Sequence, residues 1–328
     1  MKAVVYTRYG PPDRLQMVDI EKPVPSDEEV LVRVYSASVN SWDWDMLRGK
    51  PFLTRLIGGL LKPSKKILGA DIAGRVEATG AGVKHFIPGD EVFGDIAGRG
   101  FGGFAEYVCV PEKLLAKKSP EVSFNQAAAL PQAGLLALQG LRYKGSLREG
   151  QWLLINGAAG GVGTLALQYA KSAGAVVTCV DLEEKFDLLR SLGADQLLDY
   201  SKEDYTRTGQ QYDRILDVIA QRPVSAYRRA LKPGGTFAVI GGSTSLILKL
   251  MILGPLMTAF GNKKLGLMGY RPNRDDLLLL DQLCKEGKVV PVIDKCYALH
   301  EVADAFRYFG TGRVRGKIVI RIADETQG

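Results

Sequence analysis

The stretch Gly157-Ala158-Ala159-Gly160-Gly161-Val162-Gly163 decides the reading of this chain, through what flanks it. Before it, Trp152-Leu153-Leu154-Ile155 is a short apolar run that reads as a buried strand. After it, Thr164 to Ser172 reads as a helix, with Gly174 at the C-terminal stop position. A second apolar run, Val176 to Val180, ends at Asp181. Strand, glycine turn, helix, strand and acidic residue form the layout of a dinucleotide-binding βαβ unit. Glycines let the backbone turn tightly and approach a pyrophosphate, whose charge the helix N-terminus favours. The first glycine of the usual G-x-G-x-x-G is Ala158 here, and Gly160 and Gly163 fill the other two places.

Outward from that unit the chain changes character. From about Phe124 helices and strands alternate, with further buried strands at Ile215 to Ile219 and Thr236 to Ile240, which indicates a parallel sheet covered by helices. The first 120 or so residues read as all-β, with short runs at Ala3 to Tyr6, Val30 to Tyr35, Ile72 to Ala78, Glu91 to Gly94 and Ala105 to Val110. Turn signals such as Pro88-Gly89-Asp90 separate them, and the spacing suggests a small barrel. The tail Gly316 to Ile320 returns to strand. The expected division is therefore a strand-rich barrel domain over residues 1–123, a nucleotide-binding domain of alternating helices and strands over 124–270, and a tail over 271–328 that ends in strand.

With 328 residues, 46% hydrophobic and 24% charged, the composition is that of a soluble two-domain protein. The four cysteines, Cys109, Cys179, Cys284 and Cys296, form no close pair, which suits a reducing compartment. The start MKAVVYTRYG is strand-like and has no secretory apolar region, so the cytoplasm is the expected location. The net charge of +7 is dispersed, without the basic and aromatic interleaving that argues for nucleic acid. Two segments break the pattern: Phe52 to Lys66, apolar with interspersed cations, and Leu246 to Phe260, almost continuously apolar but too short to span a bilayer. They read as cleft lining or subunit contact ahead of membrane docking.

Together these residues carry a family resemblance. The motifs are Ser38 to Trp44, Gly69-Ala70-Asp71-Ile72-Ala73-Gly74, Ile87 to Val92, Ala127 to Gly134, the glycine loop, Leu192 to Asp195 and Gly316-Lys317. In that order they resemble the zinc-independent quinone oxidoreductase branch of the medium-chain dehydrogenase/reductase superfamily, over essentially the whole length. The resemblance implies an α/β protein with a GroES-like β-barrel catalytic domain, a Rossmann doubly wound cofactor domain, and an active site in the cleft between them. It implies NAD(P)H-dependent reduction of quinones or α,β-unsaturated carbonyl compounds, and a homodimer. The zinc ligands of the alcohol dehydrogenase relatives align with Asn40, Ala70 and Gln132. A methyl group and neutral amides do not replace thiolate and imidazole, so no zinc is expected.

Asn40 is the expected catalytic residue, its amide donating to a substrate oxygen beside the nicotinamide; the alternative is a cap on the preceding strand. Asp43 is expected to be a structural acceptor rather than a proton donor. Gln132 and Leu136 are expected at the substrate, the latter where relatives often carry Thr. The cofactor set comprises Asn40, Gly157, Ala158, Ala159, Gly160, Gly161, Val162, Gly163, Asp181, Lys185, Tyr200, Ile219, Ile240 and Lys317, with Tyr270 either near the cofactor or simply packed. Lys317 is read as approaching the diphosphate, or as merely exposed.

Cofactor identity is divided in the sequence. Asp181 at a strand end suits the ribose hydroxyls of NADH, or it opens the next helix as an N-cap with Glu184 at N3. Lys185 and Tyr200 match residues that surround the 2′-phosphate in NADPH-using relatives, so NADPH is favoured and NADH stays open. The acceptor is expected to be a small lipophilic carbonyl compound or quinone. Rival readings are an alcohol dehydrogenase, and a nucleotide-binding protein with a structural, regulatory or membrane-associated role.

Overall fold

A computed structural model describes residues 1–259 and 262–323, without the side chains of Leu253 and residues 255–259. The chain divides into two compact units. The first comprises Met1–Ala133, Pro272–Gly287 and Ile293–Gly328, and the second Gly134–Arg271 with Lys288–Val292.

The first unit opens with strands β1 (Lys2–Val5), β2 (Gln16–Asp19) and β3 (Glu29–Val39), then helices α1 (Ser41–Arg48) and α2 (Leu53–Gly58). Strands β4 (Asp71–Thr79), β5 (Glu91–Asp95), β6 (Tyr107–Pro111) and β7 (Ala116–Lys117) follow, then helix α3 (Phe124–Ala129). The two helices between β3 and β4 correct the all-β expectation. Asn40 caps α1, the Asp43 carboxylate accepts the Asn40 backbone N–H at 3.0 Å, and Gly49 ends the helix at φ 59°. The 11-residue β3 is nearly all buried and pairs antiparallel with β4 and β6.

Helix α3 extends the first unit beyond the expected boundary at 123. Phe124 stacks on Tyr35 of β3 with ring centroids 4.4 Å apart, and this apolar contact holds residues 124–133 with the first unit. Helix α4 (Pro131–Leu141) contains the boundary between the units.

The second unit alternates β8 (Trp152–Asn156), α5 (Gly161–Ser172), β9 (Val176–Asp181), α6 (Phe186–Ser191), β10 (Gln196–Asp199), β11 (Tyr212–Asp217), α7 (Val224–Ala230), β12 (Leu231–Val239), α8 (Thr244–Ala259) and β13 (Lys264–Leu267). Its strands form one six-stranded sheet in the order β10-β9-β8-β11-β12-β13, and every pairing is parallel. The order reverses direction at β8, the switch point where such sheets bind ligands beyond the strands' carboxyl ends. Leu154, Ile215, Phe237 and Val239 fill its core.

Helix α9 (Arg274–Lys285), strand β14 (Ile293–Ala298), helix α10 (Val302–Gly310) and strand β15 (Lys317–Arg321) complete the first unit. Strand β15 lies between β14 and β3 in a seven-stranded sheet. Residues 288–292 belong to the second unit, where the Val290 backbone exchanges two hydrogen bonds with the Gln168 side chain.

Candidate active site and cofactor site

The antiparallel register Ile318↔Val39 sets Lys317 beneath Asn40, although 277 residues separate them in sequence. Lys317 is buried and donates from Nζ to Asn40 Oδ1 at 2.5 Å and to the Val39 carbonyl at 3.4 Å. The Asn40 Nδ2 donates to Asp71 Oδ2 at 2.9 Å. Asp71 has no exposed surface; its Oδ2 also accepts from Ser38 Oγ at 3.2 Å, and its Oδ1 accepts the Gln132 N–H at 3.0 Å. Lys317 Nζ stands 3.5 Å from the same Asp71 Oδ2.

This triangle fixes which way the Asn40 amide faces. Its oxygen meets a cation and its nitrogen meets an anion, so a flipped amide would oppose like to like at both ends. An amide nitrogen carries two hydrogens, and Asp71 takes one. Asn40 is buried, and the second hydrogen is the group it can offer to a ligand oxygen.

The electrostatics follow from burial. Asp43, fully buried, accepts N–H bonds from Gly69 at 2.8 Å and Asn40 at 3.0 Å, yet burial outweighs both and pushes its carboxyl up to about 7. Burial raises Asp71 above the ordinary carboxylate range, and the Lys317 ammonium is the largest influence pulling it back down. Burial lowers Lys317, and Asp71 opposes that shift.

In the second unit the glycine loop joins β8 to α5. Gly157 takes φ +77°, which favours glycine. A Cβ on Gly163 would lie 2.4 Å from the Gly157 carbonyl oxygen and 2.5 Å from the Ala158 Cα, so only glycine lets the helix start this close to the loop. The helix begins at Gly161 with Gly160 as its N-cap, three residues earlier than expected. Its first N–H groups, on Gly161, Val162 and Gly163, have no acceptor within the helix, so they can meet an anion.

Asp181 is not the N-cap of the next helix. Its Oδ2 accepts the Ala159 N–H at 2.9 Å and its Oδ1 accepts the Leu182 N–H at 3.0 Å, while Leu182 caps the helical turn that follows. The carboxylate is spent on closing the glycine loop, which corrects the capping-box expectation. Lys185 is buried with its ammonium 3.5 Å from Asp181 Oδ1. Tyr200, 43% exposed, borders a cavity of about 420 Å³ with Asn156, Tyr205, Ile219, Gln221 and Arg222. Two of these lining residues are held by the buried Asp217, which accepts from Asn156 Nδ2 at 2.8 Å and from Tyr205 Oη at 3.0 Å. A glycine cradle, a free helix N-terminus and a polar cavity beside them fit a dinucleotide.

Comparison with known proteins adds the family. An alcohol dehydrogenase GroES-like domain model matches residues 26–120, and a zinc-binding dehydrogenase model matches residues 192–320. The 2-methylene-furan-3-one reductase of Solanum lycopersicum is 34% identical, aligned over 98% of this chain and 79% of that protein. A chloroplastic NADPH-dependent alkenal/one oxidoreductase of Arabidopsis thaliana is 33% identical over the same shares. The solved quinone oxidoreductase of Coxiella burnetii superposes with a TM-score of 0.87 at 30% identity, over 98% of this chain and 99% of that one. The chain belongs to the quinone oxidoreductase branch of the medium-chain dehydrogenase/reductase superfamily. Its first unit is the GroES-like domain and its second the Rossmann domain, and it is an NAD(P)H-dependent oxidoreductase.

Against that family the expected site residues fall into groups. Asn40, Gln132 and Lys317 come together on Asp71 in the GroES-like unit. Lys317, expected toward the diphosphate or exposed, is buried with its ammonium directed at Asn40 and Asp71, because β15 pairs with β3. The loop residues 157–163, Asp181, Lys185, Tyr200 and Ile219 gather at the carboxyl end of the Rossmann sheet. Ile240 and Tyr270 are half-buried there, and so is Leu136 on α4. Among the described residues no group of three or more His, Cys, Asp or Glu side chains is arranged to hold a metal. His85 and His300 are exposed.

Sequence reasoning missed Asp71 as the hub, and Arg222 as a cation on the cavity wall. Asp71 had a visible signal, a carboxylate opening the apolar run Ile72-Ala73-Gly74. Arg222 gave none.

Proposed function

We infer that this protein reduces the conjugated double bond of α,β-unsaturated carbonyl compounds, or a quinone, at the expense of NADPH. The observation that carries the reading is the oriented Asn40 amide, clamped by Lys317 and Asp71 with one N–H left to give. Relatives named as alkenal/one oxidoreductase, 2-methylene-furan-3-one reductase and trans-enoyl reductase support the acceptor class.

Bound NADPH supplies a hydride to the electrophilic carbon. The chain's own residues handle the charge that then builds on the acceptor oxygen. Asn40 donates its second Nδ2–H to that oxygen, a preorganised donor in a low-dielectric setting. Lys317 and Asp71 hold the donor still, so no reorganisation is needed as charge develops. The amide stabilises the oxygen without transferring a proton, and the proton that completes reduction comes from solvent. In the Rossmann unit, the N–H groups at the start of α5 receive the pyrophosphate. Lys185, Tyr200 and Arg222 are the groups suited to a 2′-phosphate. Asp181 repels that phosphate less than a free carboxylate would, being paired with Lys185 and bonded to two amides.

Zinc has no part in this reading. The positions that align with zinc ligands in alcohol-oxidising relatives carry Asn40, Ala70 and Gln132, which lack thiolate and imidazole. An acceptor that delocalises its own charge dispenses with a Lewis acid, whereas an alcohol does not. A lipophilic acceptor, a homodimer and a cytoplasmic location complete the proposal.

The test follows NADPH oxidation against a panel of alkenals, enones and quinones, with and without exhaustive chelation, in the parent and in Asn40→Ala. Turnover should survive chelation. It should fall at least about a hundredfold in kcat for Asn40→Ala, the scale of losing one oxyanion donor. Metal-dependent turnover, or an Asn40→Ala variant with unchanged kcat, would overturn the assignment.

A further inference from the structure

Helix α2 is turned inside out. Phe52, Leu53, Leu56, Ile57, Leu60 and Leu61 are exposed by 49–90%, whereas Thr54 and Gly58 face inward and are buried. Leu53, Leu56 and Ile57 share the outward face of α2, while Phe52 just before the helix and Leu60 and Leu61 just after it are exposed on the adjoining chain, so this surface is apolar. A soluble surface helix presents the opposite arrangement.

The inward side explains why the helix cannot roll over. Arg55 donates from Nε to the Gly49 carbonyl at 3.1 Å and stacks on the Tyr9 ring at 4.7 Å. The Tyr9 hydroxyl donates to the Gly59 carbonyl at 2.5 Å, and Ser64 Oγ donates to the Gly58 carbonyl at 2.9 Å. A Cβ on Gly58 would lie 2.7 Å from Met46 Cε, so this side packs closely against the body. Polar contacts inward and leucines outward fix the apolar face toward solvent.

Charge selects the partner. Residues 46–70 contain Arg48, Lys50, Arg55, Lys62, Lys65 and Lys66, and neither Asp nor Glu. Lys50, Lys62 and Lys66 are exposed on the segments flanking the apolar face. An apolar face whose flanking chain carries cations and, over residues 46–70, no carboxylate complements a surface that is apolar within and anionic at its edge.

We propose that the outward face of α2, with the basic segment after it, docks this protein on an anionic lipid bilayer. The leucines and Phe52 enter the boundary between headgroups and acyl chains, while the lysines meet lipid phosphates and carboxylates. No helix among the described residues is long and apolar enough to cross a membrane, and the proposed contact is peripheral and reversible.

The test is co-sedimentation of the full-length protein with vesicles of phosphatidylcholine alone or with roughly one-third phosphatidylserine. Neither cofactor nor acceptor is added, so the result is independent of the proposed chemistry. The parent should bind the anionic vesicles at least about tenfold more tightly, and lose that preference at high salt. Leu56→Glu/Leu61→Glu should abolish binding. Lys62→Gln/Lys65→Gln/Lys66→Gln should weaken it by up to about a hundredfold, from roughly fivefold per cation near the surface. Both variants alter exposed or partly exposed side chains, and circular dichroism confirms the fold. No anionic preference in the parent, or variants that bind as it does, would overturn the proposal. So would a change in oligomeric mass between parent and variants, which would show that a second copy covers this face.

Discussion

Replacing Lys317 with Met tests the clamp on Asn40 through stability and turnover at once. The substitution keeps a long unbranched side chain but removes the ammonium that lies 2.5 Å from Asn40 Oδ1 and 3.5 Å from Asp71 Oδ2. Asp71 is then a fully buried carboxylate without its countercharge, and breaking such a pair costs about 3–5 kcal/mol. The cost has a pH signature. Asp71 is already raised by burial, and Lys317 is the main influence lowering it, so its pKa in the folded variant climbs further. A raised folded pKa means the native state holds a proton that the unfolded chain releases near pH 4. Stability therefore falls as pH rises toward the folded pKa, and the variant goes on falling after the parent has levelled off. The gap between the two should widen from pH 5 to 8, by at most about 1.4 kcal/mol per pH unit. Urea unfolding across that range measures it. Adding Asp71→Asn removes the orphaned charge and should recover much of the stability without restoring kcat, because Asn40 still lacks its clamp. A gap below about 1 kcal/mol that ignores pH would refute the buried-pair argument. A double variant with full turnover would refute the role of orientation.

Three further outcomes are expected. Gly163→Ala sits in a helix, where alanine ordinarily gains about 0.5–1 kcal/mol, but its methyl would lie 2.4 Å from the Gly157 oxygen. It should instead lower the thermal midpoint and abolish binding of both NADPH and NADH by calorimetry. Lys185→Ala should weaken NADPH by about 1–3 kcal/mol and leave NADH less affected; equal weakening would assign Lys185 to the fold through Asp181. Arg222→Ala at the cavity wall should raise KM for NADPH selectively, while a change confined to kcat would remove it from the cofactor site.

The Rossmann unit was legible because its information is local. Each strand announces itself as a short apolar run, and the glycine loop lies directly between two of them, so the order of residues nearly dictates the sheet. The errors there were confined to element ends, as when α5 began at Gly161 rather than Thr164 and Ile219 proved to lie beyond the end of β11 at Asp217. The first unit was less legible because α1 and α2 are short, one of eight residues and the other of six, too few turns for a hydrophobic period to show. Ser41–Arg48 is set by its caps, and Leu53–Gly58 hides a threonine and a glycine while showing leucines, a pattern that periodicity assigns to the wrong face.

The clamp at Asn40 lay beyond local reading for a different reason. Lys317 and Asp71 stand 246 residues apart, and neither is informative alone. A lysine before a terminal strand is commonly exposed, and an aspartate opening a strand is commonly a turn residue. What joins them is register: Ile318 opposite Val39 and Ser38 opposite Asp71 place both side chains on the same side of β3 as Asn40. A slip of one residue in either pairing would turn the charged group to the other face of the sheet. The apolar neighbours Ile318, Val319 and Ile320, all buried, fix that register, so the packing that folds the sheet also aims the amide. Enlarging or shrinking those three side chains should therefore disturb turnover through Asn40 as well as stability, although none of them reaches the amide.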